Sequence, residues 1–359
     1  MIKKLFTISA IAALSLGVLT GCGSNAGTPV ATQAGATDKT QPIDPTTDPQ
    51  DTTASLDSAT ESSDATDAPP ESGSGSEAGT GGTVTVTDAR GPVEIPANPQ
   101  RIVDLSGNSD ILSILGYSVA GTANSDAYDY TKFPSYLEDT LAGAKILGYS
   151  MQDTMDMEGI LELDPDLIII SSVQEKMYDQ LQKIAPTVMI ELAQINWKDD
   201  IRAFAEIFGK EAQANDWLSD YEAQAAKLGA SIRQSHGEET TWLALLASGG
   251  QLFVFDAAGI GSILYEDMGL AKPANMPSQE NISLPVITYE GLAQIDADYM
   301  IVVGTEADTK SLKASSIYKN MRAVTDGHVI ELPSSPYFNM GYSAIGRKLF
   351  IEEFLSMVN

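Results

Sequence analysis

Hydrophobic and polar positions change rhythm three times along the chain. Leu5 to Leu19 is almost continuously apolar, broken by Thr7, Ser9 and Ser15. That run falls short of the ~20 residues a membrane-spanning helix needs. From Gly23 to Gly82 no apolar period survives. At Thr83 a patterned region begins. Thr83 to Asp88 alternates with period two, which predicts a half-buried strand, and Val93 to Ile95 pairs back across the turn Asp88 to Gly91. Arg101 to Leu105 predicts a buried strand, Asn108 to Leu115 a helix stopped by Gly116, and Val119 to Gly121 a further strand. Met157 to Leu163 predicts a short helix ended by Asp164-Pro165-Asp166. Leu167 to Ile170 then reads as a strand covered on both faces. A helix over Gln174 to Ile184 and a strand over Thr187 to Ile190 complete an α/β layer with a largely parallel sheet.

Trp197 to Phe208 predicts another helix. Glu211 to Gln234 follows, with apolar positions at 217, 218, 221, 225 and 228. A helix of that length spans about 36 Å and reads as a strut between two lobes. The pattern then restarts. Strands are expected over Thr241 to Leu246 and Leu252 to Phe255, paired across Ser248-Gly249-Gly250, with a helix over Gly261 to Met268. A short helix over Thr288 to Ile295, strands over Tyr299 to Val303 and Gly327 to Leu332, and a closing helix over Ser343 to Met357 finish the chain. The expected organisation is a leader (1–21), a linker (22–82), an N-terminal α/β lobe (83–210), an inter-lobe helix (211–236) and a C-terminal α/β lobe (237–359).

Charge and composition sharpen the two ends. Lys3 and Lys4 precede the apolar run, and Leu19-Thr20-Gly21-Cys22 follows it, the arrangement of a secretory signal peptide. The quartet resembles the bacterial lipobox, which implies cleavage before Cys22 and its acylation. The linker has ten acids against Lys39, six Pro, eight Gly and no aromatic residue. It cannot bury enough apolar surface to offset its ordering entropy, so a disordered acidic tether is expected. A net charge of −28 excludes a nucleic-acid binder. With one Cys and two His (His236 and His328), neither a disulfide framework nor a Cys- or His-built metal site is expected. No Gly-x-Ser-x-Gly elbow occurs: Gly148-Tyr-Ser-Met-Gln and Gly341-Tyr-Ser-Ala-Ile lack the last Gly. No enzyme and no cofactor are expected.

One internal echo stands out. Glu158-Gly-Ile-Leu-Glu-Leu-Asp-Pro-Asp-Leu-Ile-Ile-Ile and Glu290-Gly-Leu-Ala-Gln-Ile-Asp-Ala-Asp-Tyr-Met-Ile-Val align residue for residue, one on each side of the strut. With Pro99-Gln-Arg-Ile-Val-Asp-Leu, Ile111-Leu-Ser-Ile-Leu-Gly and Tyr178-Asp-Gln-Leu-Gln-Lys-Ile-Ala-Pro-Thr-Val, these motifs make residues 83–359 resemble the solute-binding lipoproteins of bacterial iron–siderophore and vitamin B12 importers of the ABC type. The Ile-Ala-Pro-Thr-Val form looks closer to the siderophore branch. The resemblance implies a class III periplasmic-binding-protein-like fold: two α/β lobes joined by a single long helix, with the ligand cleft between them. It implies a monomer, lipid-anchored at the extracytoplasmic face of the cell membrane, that serves an ABC permease dimer. Glu158 and Glu290 match the acidic residues that dock on permease arginines.

The loops expected at the cleft carry no Lys or Arg. Aromatic and polar side chains stand there instead: Ser106, Asn108, Tyr128, Tyr130, Tyr149, Trp197, Phe253, Tyr337, Asn339 and Tyr342. The expected ligand is therefore a neutral or cationic Fe(III)–siderophore complex of the hydroxamate kind, held by ring faces and hydrogen bonds. Lys132, Lys145, Lys176, Lys198 and Arg347 are the cations within possible reach. Alternatives are another iron or cobalt complex (haem, cobalamin, a catecholate or a citrate-type chelate), or a surface adhesin without a transport role.

Overall fold

The computed structural model describes residues 82–193 and 195–358. The leader, Cys22, nearly all of the linker and Gln194 lie outside the described residues. The fold opens on an antiparallel hairpin of β1 (Thr83–Asp88) and β2 (Gly91–Pro96). An all-parallel five-stranded sheet follows, built from β3 (Ile102–Asp104), β4 (Val119–Thr122), β5 (Lys145–Ile146), β6 (Leu167–Ser171) and β7 (Thr187–Ile190) in the order β5-β4-β3-β6-β7. Its helices are α1 (Ser109–Ile114), α2 (Met157–Glu162) and α3 (Tyr178–Leu181). Helix α4 (Trp197–Phe208) leads into the 26-residue α5 (Glu211–His236).

Beyond α5 a second five-stranded sheet has the order β10-β9-β8-β11-β12. Its strands are β8 (Trp242–Ser248), β9 (Gln251–Val254), β10 (Val286–Ile287), β11 (Tyr299–Gly304) and β12 (Val329–Pro333). β8, β11 and β12 run parallel, whereas β9 and β10 form an antiparallel edge. The helices here are α6 (Ile260–Ser262), α7 (Tyr289–Leu292), α8 (Glu306–Ala314), α9 (Ser316–Lys319), α10 (Arg322–Thr325), α11 (Ser334–Met340) and α12 (Ala344–Val358).

Strand alternation divides the interior. Leu167 and Ile169 face one way and Ile168 and Ile170 the other; Ala244 and Leu246 are likewise opposed to Leu243 and Leu245. The inward faces of both sheets meet in one continuous core with Leu218, Tyr221, Ala225 and Ile232 of α5 and Phe350 and Phe354 of α12. The strut is thus packed into both lobes rather than spanning free space. At Gly229 of α5 the fit is tight enough that a Cβ would lie 1.8 Å from the Met268 carbonyl oxygen.

Several expectations change. The helix expected over Gln174 to Ile184 is a 3-10 turn (Ser172–Met177) running into the short α3. Ser171 initiates it through a capping box with Gln174. The helix expected over Gly261 to Met268 is α6 continued by a single π turn, Ile263–Asp267. The stretch Ser334 to Tyr342, read as a loop, is largely the helical α11, kinked at Ser335.

Candidate functional site

The site is built where the strands of the first sheet end. Asp104 closes β3 and is fully buried, and its carboxylate accepts from Ser106 N (3.0 Å), Ser106 Oγ (2.6 Å), Asn108 N (3.1 Å) and Ser109 Oγ (2.6 Å). Burial raises its pKa above the ordinary carboxylate value, and the four donors oppose that rise. The turn they shape passes through Gly107 at φ 87° and is braced by Asn124, which accepts from Ser109 N (2.8 Å) and donates to Gly107 O (2.7 Å). Ser106 and Asn108 are therefore fixed before any ligand arrives.

The next two loops supply rings. Tyr130 and Tyr149 stack with centroids 4.7 Å apart and 14° between their planes. Tyr130 is 47% exposed, Tyr128 37% and Met151 58%, so the lip of the first lobe presents apolar surface to solvent. Burial pushes the Tyr149 hydroxyl up to about 12. From the other lobe, Phe338 meets Tyr128 edge-on (5.8 Å) and tilts against Tyr342 (5.2 Å). Ala127 N donates to Asn339 Oδ1 (3.1 Å), and the Ser335 hydroxyl donates to the buried Asp126. Asn339 Nδ2 is buried without a partner among the described residues. Deeper in, Asp110 at the start of α1 accepts from Ser343 Oγ (2.7 Å) and Ile345 N (3.2 Å), tying α1 to the first turn of α12.

Beneath this rim lies a small pocket of about 40 Å³, with Asn108, Trp197, Asp200, Tyr342, Ala344 and Arg347 among its lining residues. Its size suits one or two water-sized groups, well below a whole chelate. Arg347 is 2% exposed. It donates to Ser262 Oγ (2.8 Å), pairs with Asp267 (3.3 Å) and lies 4.6 Å above the Trp197 ring, while its Nε has no partner among the described residues. Asp267 also pairs with Lys198 (3.1 Å) and accepts from Tyr221 OH (2.6 Å). Asp200 is 8% exposed, accepts from Ala193 N (2.5 Å) and forms no ion pair among the described residues. Burial lifts its pKa to about 6.

The structure thus brings Asn108, Trp197 and Tyr342 together at the pocket, and Tyr128, Tyr130, Tyr149 and Asn339 at the rim above it. Ser106 is 4% exposed and committed to Asp104. Phe253 sits on β9 and packs against the main core. Tyr337 donates to Glu353 of α12 (3.1 Å). The lysines that could have swung inward are engaged: Lys132 with Asp129, Lys145 with Glu162, Lys176 with Asp153, and Lys198 with Glu222 and Asp267. Sequence reasoning missed Asp126, Asp200 and Asp267. Asp199-Asp200 in the first turn of α4 reads as an ordinary pair of helix N-terminal acids, and only its burial separates the second from the first.

The echoed motifs form matching turns. Asp156 caps α2 through Gly159 N, and Thr288 caps α7 through Gly291 N. Glu158 and Glu290 are each the second helical residue, both exposed and without an ion pair among the described residues. Each lies near an exposed apolar side chain in sequence, Leu161 (63%) and Val286 (58%). His236 bonds to Tyr299 OH (3.0 Å), and His328 stacks on the same ring at 4.3 Å. Among the described residues no group of three or more His, Cys, Asp or Glu could hold a metal ion, and no helix is long and apolar enough to cross a membrane.

Comparison with known proteins places this geometry. Residues 107–336 match the model of a family described as periplasmic binding protein. The iron(3+)-hydroxamate-binding protein FhuD of Bacillus subtilis is 30% identical over 294 residues, spanning 79% of this chain and 90% of that protein. The probable siderophore-binding lipoprotein YfiY of the same organism is 29% identical over 278 residues, spanning 73% and 84%. The crystal structure of the petrobactin-binding protein YclQ, also from B. subtilis, superposes with a TM-score of 0.63 at 25% identity, covering 77% of this chain and 99% of that one. The two α/β lobes on one long helix are the fold these proteins share, and the chain belongs to the periplasmic binding protein family.

Proposed function

We propose that the chain captures a ferric siderophore, of the neutral or cationic hydroxamate class, outside the cell membrane and delivers it to an ABC permease for iron uptake. The observation that carries this reading is the cleft itself. Stacked and edge-on rings from both lobes surround it, and every lysine near it is already paired with an acid. Such a wall favours a chelate that brings hydrogen-bonding groups and apolar edges, and it offers little compensation to a triply anionic one. The names of the FhuD and YfiY relatives support the ligand class. No catalytic group is assigned. Cys22 is the lipid anchor in this reading, and the residues up to 82 tether the lobes to the membrane.

Glu158 and Glu290 are the docking points. They are exposed, unpaired among the described residues and matched on the two lobes, which suits a permease dimer that offers two equivalent basic loops. The test is radio-iron uptake from a ferric hydroxamate in cells that express the chain with its permease. Glu158→Arg with Glu290→Arg is expected to lower uptake at least about tenfold while purified protein binds the chelate as before. Unchanged uptake would remove the docking assignment. Uptake that does not depend on the chain at all would remove the transport role and favour an adhesin.

A further inference from the structure

Two acids face the same inter-lobe wall with opposite fates. Asp267 has Arg347, Lys198 and Tyr221 around it. Lys198 in turn reaches Glu222 (3.0 Å), so the two cations and the two carboxylates of that network cancel. Among the described residues Asp200 has a single backbone donor and no cation, although it is only 8% exposed and lines the pocket. A buried carboxylate left in this way is costly. The N-terminal turn of α4 offsets only a small part of such a cost. The pocket thus combines one carboxylate that pairs with no cation among the described residues, the Arg347 guanidinium already committed to Asp267, and room for a group no larger than an ammonium.

We propose that Asp200 is the counter-ion of a pendant cationic group, a primary ammonium or its equivalent, carried by the ferric chelate. This rests on the siderophore reading above and deepens it. The iron centre stays among the rings of the rim, and the tail of the chelate enters the pocket with its charge against Asp200. The Trp197 ring forms part of the same wall, with the Arg347 guanidinium over it, so tail binding also reports through tryptophan emission.

The test compares two probes that differ only at the tail: the ferric complex of desferrioxamine B, a trihydroxamate with a terminal ammonium, and the ferric complex of its N-acetyl derivative. Wild-type protein is expected to prefer the ammonium form by about tenfold or more at pH 7.5. In Asp200→Asn, which keeps the shape and the acceptor for Ala193 N, that ratio is expected to fall to about one. Ala344→Val, which fills the pocket without touching any charge, is expected to remove the preference as well and guards against a folding defect in the first variant. Two bound probes with no preference in wild type, or a preference that survives both substitutions, would overturn the Asp200 assignment and leave siderophore capture standing. Binding of neither probe by wild type would overturn the hydroxamate reading, and this inference with it.

Discussion

The buried carboxylates of the inter-lobe wall form a graded series. Asp267 is compensated by two cations and a phenol. Asp110 has no cation but is held by a hydroxyl and backbone N–H groups, and burial still raises its pKa. Asp200 has one backbone donor, and burial lifts it to about 6. The first arrangement locks α4, α5 and α12 to the π turn of the second lobe. The last weakens the fold once it ionises. A chain that keeps such a group where two lobes meet is giving up stability for a contact that only a ligand completes. The comparison separates the part of the wall that positions the lobes from the part that reads the chelate.

The sharpest way to break the contrast is to unpair Asp267. Arg347→Met leaves that carboxylate with Lys198 alone among cations, and the expected loss of unfolding free energy is about 3–5 kcal/mol by chemical denaturation. A loss under about 1 kcal/mol would mean that the network is not what joins the lobes.

Asp200→Asn is expected to act in the opposite direction. The Asp200 carboxyl ionises near 6 in the fold against an ordinary 3.8, so the folded state holds its proton more tightly than the unfolded chain does. The stability this group contributes is complete below about pH 4 and is lost as pH rises through 6. At pH 8 the loss corresponds to about 2–3 kcal/mol. Asp200→Asn is therefore expected to be more stable than wild type by about 1–3 kcal/mol at pH 8, with the gain shrinking to near zero by pH 4. A destabilised variant at pH 8 would place Asp200 with Asp267 among the structural groups. The same ionisation predicts that preference for an ammonium tail weakens below pH 6.

Much of this architecture is legible in the sequence. The period-two runs, the Asp-x-Asp stops and the long amphipathic stretch locate most strands and the strut, because local patterning and tertiary burial agree there. The lip tyrosines are legible as aromatic residues in loops that follow strands. The helices α8 to α10 are not, since Glu306 to Thr325 is mostly polar and buries little more than Leu312, Tyr318 and Ala323. The placement of Phe253 is also hidden, because a strand residue beside a Gly-Gly turn can face either the cleft or the core. Asp200 is hidden for a deeper reason. Its neighbour Asp199 has the same identity on the same helical turn and pairs with Arg202 at 2.7 Å on the surface. Only the path of α4 beneath the first lobe decides which of the two is buried.

The central claim is that this cleft prefers a neutral or cationic ferric chelate over an anionic one. Quenching of tryptophan fluorescence, titrated in parallel with a ferric trihydroxamate and a ferric triscatecholate, tests it most directly. The account predicts saturable quenching by the trihydroxamate and at least about hundredfold weaker binding of the triscatecholate. Equal or tighter binding of the triscatecholate would contradict it.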